Sequence, residues 1–119
     1  IDRGHNVSVL NNTVFLSSPQ AYDNAIEYRY DVSSGLQIKN NLTNKRIHAR
    51  DNAKASLAAN VQNAKGAWFV DPAAGDLHLR SCSQSTVAGK AVSLGDIKDD
   101  IDGDPRGASS DIGADQCVP

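Results

Sequence analysis

Short stretches of alternating apolar and polar residues run through the first half of the chain. Between residues 26 and 30, Ile and Tyr side chains alternate with Glu27 and Arg29. Because successive side chains of a strand point to opposite faces, this period of two predicts a β-strand with one buried face. Residues 51–64 also fit an amphipathic helix by composition, and a helix there is the alternative prediction.

The strand-like stretches recur along the chain. Two pairs of segments resemble each other: residues 25–44 with 45–64, and residues 7–13 with 36–42. Placing Ile26 over Ile47 also brings Leu36 over Leu57, which corresponds to a repeat of about 21 residues. Two short strands in each repeat of this length predict an all-β solenoid, a parallel β-helix in which every repeat stacks on its neighbour. A β-sandwich is the alternative fold.

Asparagine is concentrated in the same part of the chain. All ten asparagines lie within the first 63 residues. Asparagine tolerates the left-handed backbone conformation that tight corners need, and its amide can form stacked hydrogen bonds. We therefore expect the asparagines at the corners between strands.

The second half of the chain has a different character. Residues 67–70 form a short apolar run that ends at Asp71. Residues 81–111 are rich in Gly, Asp and Ser and show little periodicity, which is typical of irregular backbone. We therefore expect rungs of the β-helix in residues 1–65, and the last strands with a C-terminal cap in residues 66–119.

Four blocks between Trp68 and Gln116 match a known pattern in the same order: FVDPAAGDLHLRS, STVAGKAV, DDIDGDPRG and DIGADQ. They resemble the C-terminal signature of bacterial right-handed parallel β-helix repeat proteins, although the second block lacks the proline and aspartate usual there. The resemblance implies a right-handed coil, with this chain as the C-terminal segment of a longer exported protein. It also implies that the protein binds or degrades polysaccharide, as polysaccharide lyases and glycoside hydrolases do. A non-catalytic structural or adhesive segment is the alternative function.

The two cysteines, Cys82 and Cys117, both lie in the second half. A disulfide between them would close a loop of about 36 residues and tie down the C-terminal segment. Such a bond requires an oxidising environment, so we expect the protein in the periplasm, at the cell surface or in the medium. Two unpaired buried thiols are the alternative.

The net charge of −2 hides an uneven distribution. Residues 1–65 hold eight Lys and Arg against five Asp and Glu, whereas residues 66–119 hold four against nine. The first half is therefore the expected contact surface for an anionic partner. The chain has no basic patch interleaved with aromatic residues, so nucleic acid is not expected. No apolar run approaches the roughly 18 residues of a membrane helix, so no membrane span is expected.

A strip of outward-facing charged residues is the candidate binding site for an acidic polysaccharide. Its predicted members are Glu27, Arg29, Lys39, Arg46, His48 and Arg50. A polyuronate lyase needs a cation to neutralise the sugar carboxylate and a base to remove a proton, so His48, Arg29 and Arg50 are the candidate catalytic residues. The alternative is a solvated strand face whose charges pair across the sheet.

Carboxylates alternate at Asp100, Asp102 and Asp104, around Gly103. Carboxylate oxygens at a spacing of two are typical of calcium loops, so calcium is the candidate cofactor. The alternative is that these aspartates cap turns and pair with Arg106.

The terminal repeat of a solenoid exposes one face on which the strand edges have no hydrogen-bonding partner. We therefore expect residues near 1–15 to contact upstream rungs or another copy of the chain. If the protein is an enzyme, its catalytic residues are expected mainly on those upstream rungs.

Overall fold

The computed structural model describes residues 1–17 and 22–119 of the chain, and this part is all-β. Its strands are short because Gly, Asn and Asp residues interrupt every apolar stretch. The nine strands are β1 (Ser8–Leu10), β2 (Thr13–Val14), β3 (Asn24–Arg29), β4 (Gln37–Lys39), β5 (Leu42–Thr43), β6 (Arg46–Arg50), β7 (Ser56–Ala58), β8 (Phe69–Asp71) and β9 (Asp76–Leu79). A 3-10 turn, Gly66–Trp68, precedes β8. Within the described residues, no helix has the length and apolarity to cross a membrane.

The strands of the first half pair in parallel. Strand β4 lies between β1 and β7, β2 pairs with β5, and β3 pairs with β6. Two of the predicted alignments are confirmed, because Ile26 lies beside Ile47 and Val9 lies beside Ile38. The predicted alignment of Leu36 with Leu57 is wrong, since Leu57 lies beside Ile38. The repeat is therefore not constant in length, and the spacing differs from one pair of strands to the next.

The predicted right-handed parallel β-helix is wrong. The strands form four separate sheets of two or three strands, and the described residues contain no closed or solenoid sheet. Each parallel sheet stays small because the chain returns beside a given strand only once or twice. The number of residues between paired strands also varies from one pair to the next. After Ala64 the chain forms an antiparallel hairpin, β8–β9, which ends the parallel pairing. The alternative of a helix over residues 51–64 is also wrong, because this segment contains β7. The β-sandwich alternative stays a prediction.

A column of three asparagine side chains, Asn12, Asn41 and Asn60, joins the three passes of the chain that contain β1, β4 and β7. The Asn41 amide is fully buried and accepts hydrogen bonds from the backbone N–H and the side-chain amide of Asn12, both at 3.0 Å. It donates to Val9 O at 2.9 Å and to Asn60 Oδ1 at 3.0 Å. Its neighbour Asn40 has a positive φ of 57°, as expected for a corner. Asparagine thus serves both predicted purposes, the corner and the ladder.

The buried apolar side chains form two clusters. One cluster belongs to the first half and comprises Tyr28, Leu36, Ile38 and Ala53. The other spans both halves and comprises Leu42, Ala64, Phe69, Leu79, Val87 and Ile112. Because the second cluster takes residues from both sides of residue 65, the irregular C-terminal segment packs into the same core as the parallel strands.

The C-terminal segment is fixed by backbone contacts. Gly113 has a φ of 106°, and a Cβ there would lie 2.7 Å from Thr13 Oγ1 and 3.1 Å from Leu42 Cβ. Only glycine therefore fits this position, where the segment crosses β2 and β5. The Arg106 guanidinium donates to the carbonyl oxygens of Asp111, Gly113 and Ala114 at 2.8–2.9 Å. The predicted pairing of Arg106 with carboxylates is replaced by these carbonyl contacts.

The predicted disulfide between Cys82 and Cys117 is confirmed. It joins the segment that follows β9 to the C-terminal end of the chain, across a sequence separation of 35 residues. Hydrophobic contacts place Cys117 against the second apolar cluster. The bond therefore ties the irregular segment to the core on which it packs.

We expect Asn41→Ala to destabilise the fold by about 2–4 kcal/mol, because it leaves several buried polar groups of the column without partners. The measurement is urea unfolding followed by circular dichroism. The matched control is Asn63→Ala, at an exposed asparagine outside the column. Equal urea midpoints for the two variants would show that the column does not hold the passes together.

We expect the Cys82→Ser, Cys117→Ser double variant to lose about 4 kcal/mol of stability, from the loop entropy that the disulfide removes in the unfolded chain. Reduction of the disulfide in the native protein should lower the free energy of unfolding by the same amount, and the urea midpoint should fall accordingly. An unchanged midpoint after reduction would contradict this role of the bond.

Candidate functional site

The structure brings together four members of the predicted charged strip. On strands β3 and β6, Glu27 lies directly across from His48, and Arg29 lies across from Arg50. Arg50 donates to Glu27 at 3.3 Å, and Arg29 donates to Asp51 at 2.8 Å. The two arginines expected to bind an anionic sugar are therefore paired with carboxylates of the chain itself.

The other two members lie apart from this group or at its end. Lys39 belongs to β4, which is in a different sheet, and its ammonium group donates to Gln37 at 2.8 Å. Arg46 is exposed at the start of β6, across from Asn24. The six residues therefore do not form one continuous cationic strip.

A cleft opens beside the Glu27–Arg50 pair, where the chain enters β3. It has a volume of about 370 Å³ and is lined by Tyr22, Asp23, Asn24, Glu27 and Arg50. The Tyr22 side chain is 74% exposed. The cleft thus combines an accessible aromatic ring with an amide, two carboxylates and a guanidinium group.

The polar groups of this cleft hold one another in place. The Asn24 amide donates to Glu27 Oε2 at 2.7 Å, and its own oxygen is buried with no hydrogen bond from the described residues. Partial desolvation raises the pKa of Glu27, but the hydrogen bond from Asn24 and the charge of Arg50 outweigh it and hold that pKa below its usual value. Glu27 is therefore an ionised acceptor at neutral pH.

The three aspartates of the predicted calcium loop do different things. The Asp100 carboxylate accepts backbone N–H groups from Asp102, Asp104 and Gln116, each at 2.8 Å. Burial raises the pKa of Asp100, and these backbone donors outweigh it and hold the pKa below its usual value. Asp100 thus organises the turn, and the calcium site over Asp100, Asp102 and Asp104 stays a prediction.

Asp102 instead joins a group of side chains around His78. Its carboxylate oxygen lies 2.8 Å from His78 Nε2, and Asp76 Oδ1 lies 2.6 Å from His78 Nδ1. Asp115 completes the group, because the donor atoms of His78, Asp102 and Asp115 all lie within 4.8 Å of one another. A cavity of about 210 Å³ adjoins these three residues.

The charges around His78 perturb each other strongly. The hydrogen bonds to Asp76 and then to Asp102 raise the pKa of His78 to about 9. The bond from His78 lowers the pKa of Asp76. Burial raises the pKa of Asp115, whose carboxylate accepts the Leu79 N–H at 2.7 Å. The imidazole is therefore protonated at neutral pH and linked to carboxylates on two different segments.

Sequence reasoning missed several residues of the cleft at Tyr22 and of the group around His78. In the cleft these are Tyr22, Asp23 and Asn24, and in the other group they are His78 itself, Asp76 and Asp115. Asp76 and His78 stand two residues apart on a strand, so their common face was a signal in the alternation itself. Nothing in the sequence spacing connects Asp115 with His78, because the contact depends on the path of the irregular C-terminal segment.

Another cavity lies elsewhere and has a different lining. It measures about 470 Å³, and eight of its eleven lining residues are small or aliphatic, the other three being Lys98, Asp99 and Arg106. Its Arg106 is engaged with backbone carbonyls. The cleft at Tyr22 offers a more varied set of side-chain donors and acceptors.

No family model matches the chain, and neither a curated protein nor a solved structure matches it. The resemblance of residues 68–116 to the C-terminal signature of β-helix repeat proteins therefore stays a prediction.

We expect a pH dependence of stability that originates in His78. Its pKa of about 9 in the folded protein lies above the usual 6.5, so the protonated ring stabilises the fold fully below about pH 6.5. That contribution is lost as the pH rises from about 6.5 through 9. Because the ring is 49% exposed, solvent screening keeps the effect modest.

The measurement is the urea midpoint of the native protein, His78→Gln and the control His5→Gln at pH 6, 7.5 and 9. The difference between native protein and His78→Gln should shrink as the pH rises, whereas His5→Gln should follow the native protein. A difference that is constant across the three pH values would contradict the assignment.

Proposed function

We propose that this chain is a polysaccharide-binding module of an extracytoplasmic protein, and that it holds a sugar chain in the cleft lined by Tyr22, Asn24, Glu27 and Arg50. The observation that carries the proposal is the composition of this cleft. Binding sites for small polar ligands combine a hydrophobic or aromatic surface with a few fixed polar groups. The cleft has both, at the edge of a two-stranded sheet.

The polar groups of the cleft suit hydroxyl-rich ligands. Ionised Glu27 accepts hydrogen bonds, Arg50 donates them, and the Asn24 amide nitrogen has a second N–H to donate beside the one that binds Glu27. The ring of Tyr22, 74% exposed, supplies a flat face against which an apolar face of a sugar ring packs. Such a set of donors and acceptors matches the hydroxyl groups of a sugar without requiring a charge on it.

The charge of the cleft favours a neutral polysaccharide over an acidic one. Asp23 and Glu27 contribute two negative charges, and Arg50, the cation among the described residues that line the cleft, is already paired with Glu27 at 3.3 Å. An added carboxylate would meet a net negative charge. Since Arg29 is also paired, at 2.8 Å from Asp51, binding is better supported than lyase chemistry by these contacts.

The disulfide supports the proposed location. Cys82 and Cys117 form a bond that the reducing cytoplasm would not maintain in most organisms. A disulfide of this kind is typical of proteins that work in the periplasm, at the cell surface or in the medium. Polysaccharides occur in the same places, so the proposed ligand and the proposed location agree.

The test is binding of the native protein to a panel of neutral polysaccharides and polyuronates, measured by affinity electrophoresis and then by calorimetry. We expect a neutral polysaccharide to bind, and we expect Tyr22→Ala and Arg50→Gln each to weaken binding about tenfold, which corresponds to about 1.4 kcal/mol. The matched control is Arg3→Gln, because Arg3 also forms an exposed ion pair, with Asp2 at 2.8 Å, but lies outside the cleft.

The outcomes separate the proposal from its competitors. Binding that is lost equally in Arg3→Gln and Arg50→Gln would reflect general charge and would overturn the role of the cleft. Preferential binding of polyuronates that survives Tyr22→Ala would overturn it in favour of an acidic ligand at another surface. Absence of binding to every polysaccharide would overturn the proposal and favour the structural or adhesive alternative.

A further inference from the structure

Three side chains from distant parts of the sequence converge beside a cavity. His78 lies on β9, Asp102 lies in the turn organised by Asp100, and Asp115 lies near the C-terminal end. One nitrogen and two carboxylates bring their donor atoms within 4.8 Å of one another. From this convergence we propose that His78, Asp102 and Asp115 form a binding site for a divalent transition-metal ion, with Zn²⁺ as the best match.

The orientation of the imidazole supports this assignment. Asp76 Oδ1 lies 2.6 Å from His78 Nδ1, so it accepts the Nδ1–H and fixes the ring. The other nitrogen, Nε2, then faces Asp102 and the cavity. Histidines that bind metals usually donate their second ring N–H to a carboxylate or carbonyl in this manner. Asp76 therefore acts as a positioning residue for a ligand at Nε2.

The distances require only small side-chain movements. Four ligands at zinc distances of about 2.0–2.2 Å lie about 3.3–3.6 Å from one another in a tetrahedron. His78 Nε2 and Asp102 Oδ2, at 2.8 Å, would separate slightly, whereas atoms at up to 4.8 Å would move closer. The ion would take the place of the Nε2 proton, which passes to the solvent.

The three residues differ in rigidity in a way that suits a site open to solvent. Asp115 is buried, and its position is set by the Leu79 N–H at 2.7 Å. His78 and Asp102 are half exposed, so their side chains have room to adjust around an ion. The adjoining cavity of about 210 Å³ leaves space for a water molecule or a ligand group as the fourth ligand.

The donor set selects among cations. Imidazole nitrogen suits Zn²⁺, Ni²⁺, Cu²⁺ and Fe²⁺, whereas Ca²⁺ takes six to eight oxygen ligands. Because one of the three donors here is an imidazole nitrogen, the set suits Zn²⁺ better than Ca²⁺. This proposal therefore replaces the predicted Ca²⁺ with a different ion. Of the predicted ligands Asp100, Asp102 and Asp104, it keeps Asp102.

The test is metal titration of chelator-treated native protein with its disulfide intact, at one fixed pH. Zn²⁺ and Ca²⁺ are compared by calorimetry, and Co²⁺ is followed by its visible absorption, which reports the coordination geometry. In a two-dimensional NMR spectrum, Zn²⁺ should shift the His78 ring signals and leave those of His5 and His48 in place. We expect one Zn²⁺ per chain, bound at least tenfold more tightly than Ca²⁺.

The variants distinguish ligands from neighbours. We expect His78→Gln and Asp102→Asn each to weaken Zn²⁺ binding at least tenfold, and Asp76→Asn to weaken it about tenfold through loss of ring orientation. The matched control His5→Gln should bind Zn²⁺ as the native protein does. Asp115→Asn should also weaken binding, and its urea midpoint shows whether the Leu79 contact and the fold survive.

Two results would overturn the proposal. One is Zn²⁺ affinity that is unchanged in both His78→Gln and Asp102→Asn. The other is that the native protein binds Zn²⁺ no more tightly than Ca²⁺. In that case His78 and Asp102 would serve only as an ion pair that links β9 to the turn containing Asp102. Neither result depends on polysaccharide binding, since the Tyr22 cleft and this group share no residue.

Discussion

Two adjacent asparagines, Asn40 and Asn41, are buried, and their side-chain hydrogen bonds join segments that are distant in the sequence. Asn41 links the passes that contain Asn12 and Asn60. Asn40 turns the other way, accepting the Val92 N–H and donating to the Val92 carbonyl, both at 2.9 Å. An amide that is buried without partners costs about 1–3 kcal/mol, so each partner must be in place for the others to be stable. The parallel strands and the irregular C-terminal segment therefore depend on the same pair of residues.

This arrangement explains how a chain with little regular structure in its second half holds a defined site. Residues beyond β9 have few ladder hydrogen bonds, and they are fixed instead by buried side chains, by Arg106 and by the disulfide. Asp111 shows the same principle, since its carboxylate accepts the backbone N–H groups of Gly89 and Cys117. Because these contacts fix the backbone on both sides of Asp102 and Asp115, the two carboxylates can reach His78.

The charged residues illustrate how far pattern alone extends. The repeat alignment of Ile26 with Ile47 correctly predicted that Glu27 and His48, and Arg29 and Arg50, would be neighbours on two strands. It did not indicate which charges would pair. Asp51 follows β6 directly, and its carboxylate binds Arg29. Because this ion pair neutralises the charge of Arg29, the surface is not the cationic strip that was expected. The cleft could not be predicted because Tyr22 and Asp23 precede β3 and Asn24 is its first residue, so all three lie outside the alternation that begins at Ile26.

Much of the local structure was readable from the linear chain, because it depends on neighbouring residues. Period-two alternation marked β3, asparagine marked the corners, and the two cysteines indicated the bond between Cys82 and Cys117. The overall architecture was decided by the tertiary structure. The repeat suggested a continuous β-helix, but the unequal spacing between strands and the hairpin β8–β9 limit each sheet to two or three strands. The group around His78 was decided in the same way, since contacts between residues 78, 102 and 115 follow from the path of irregular backbone, which no short-range pattern encodes.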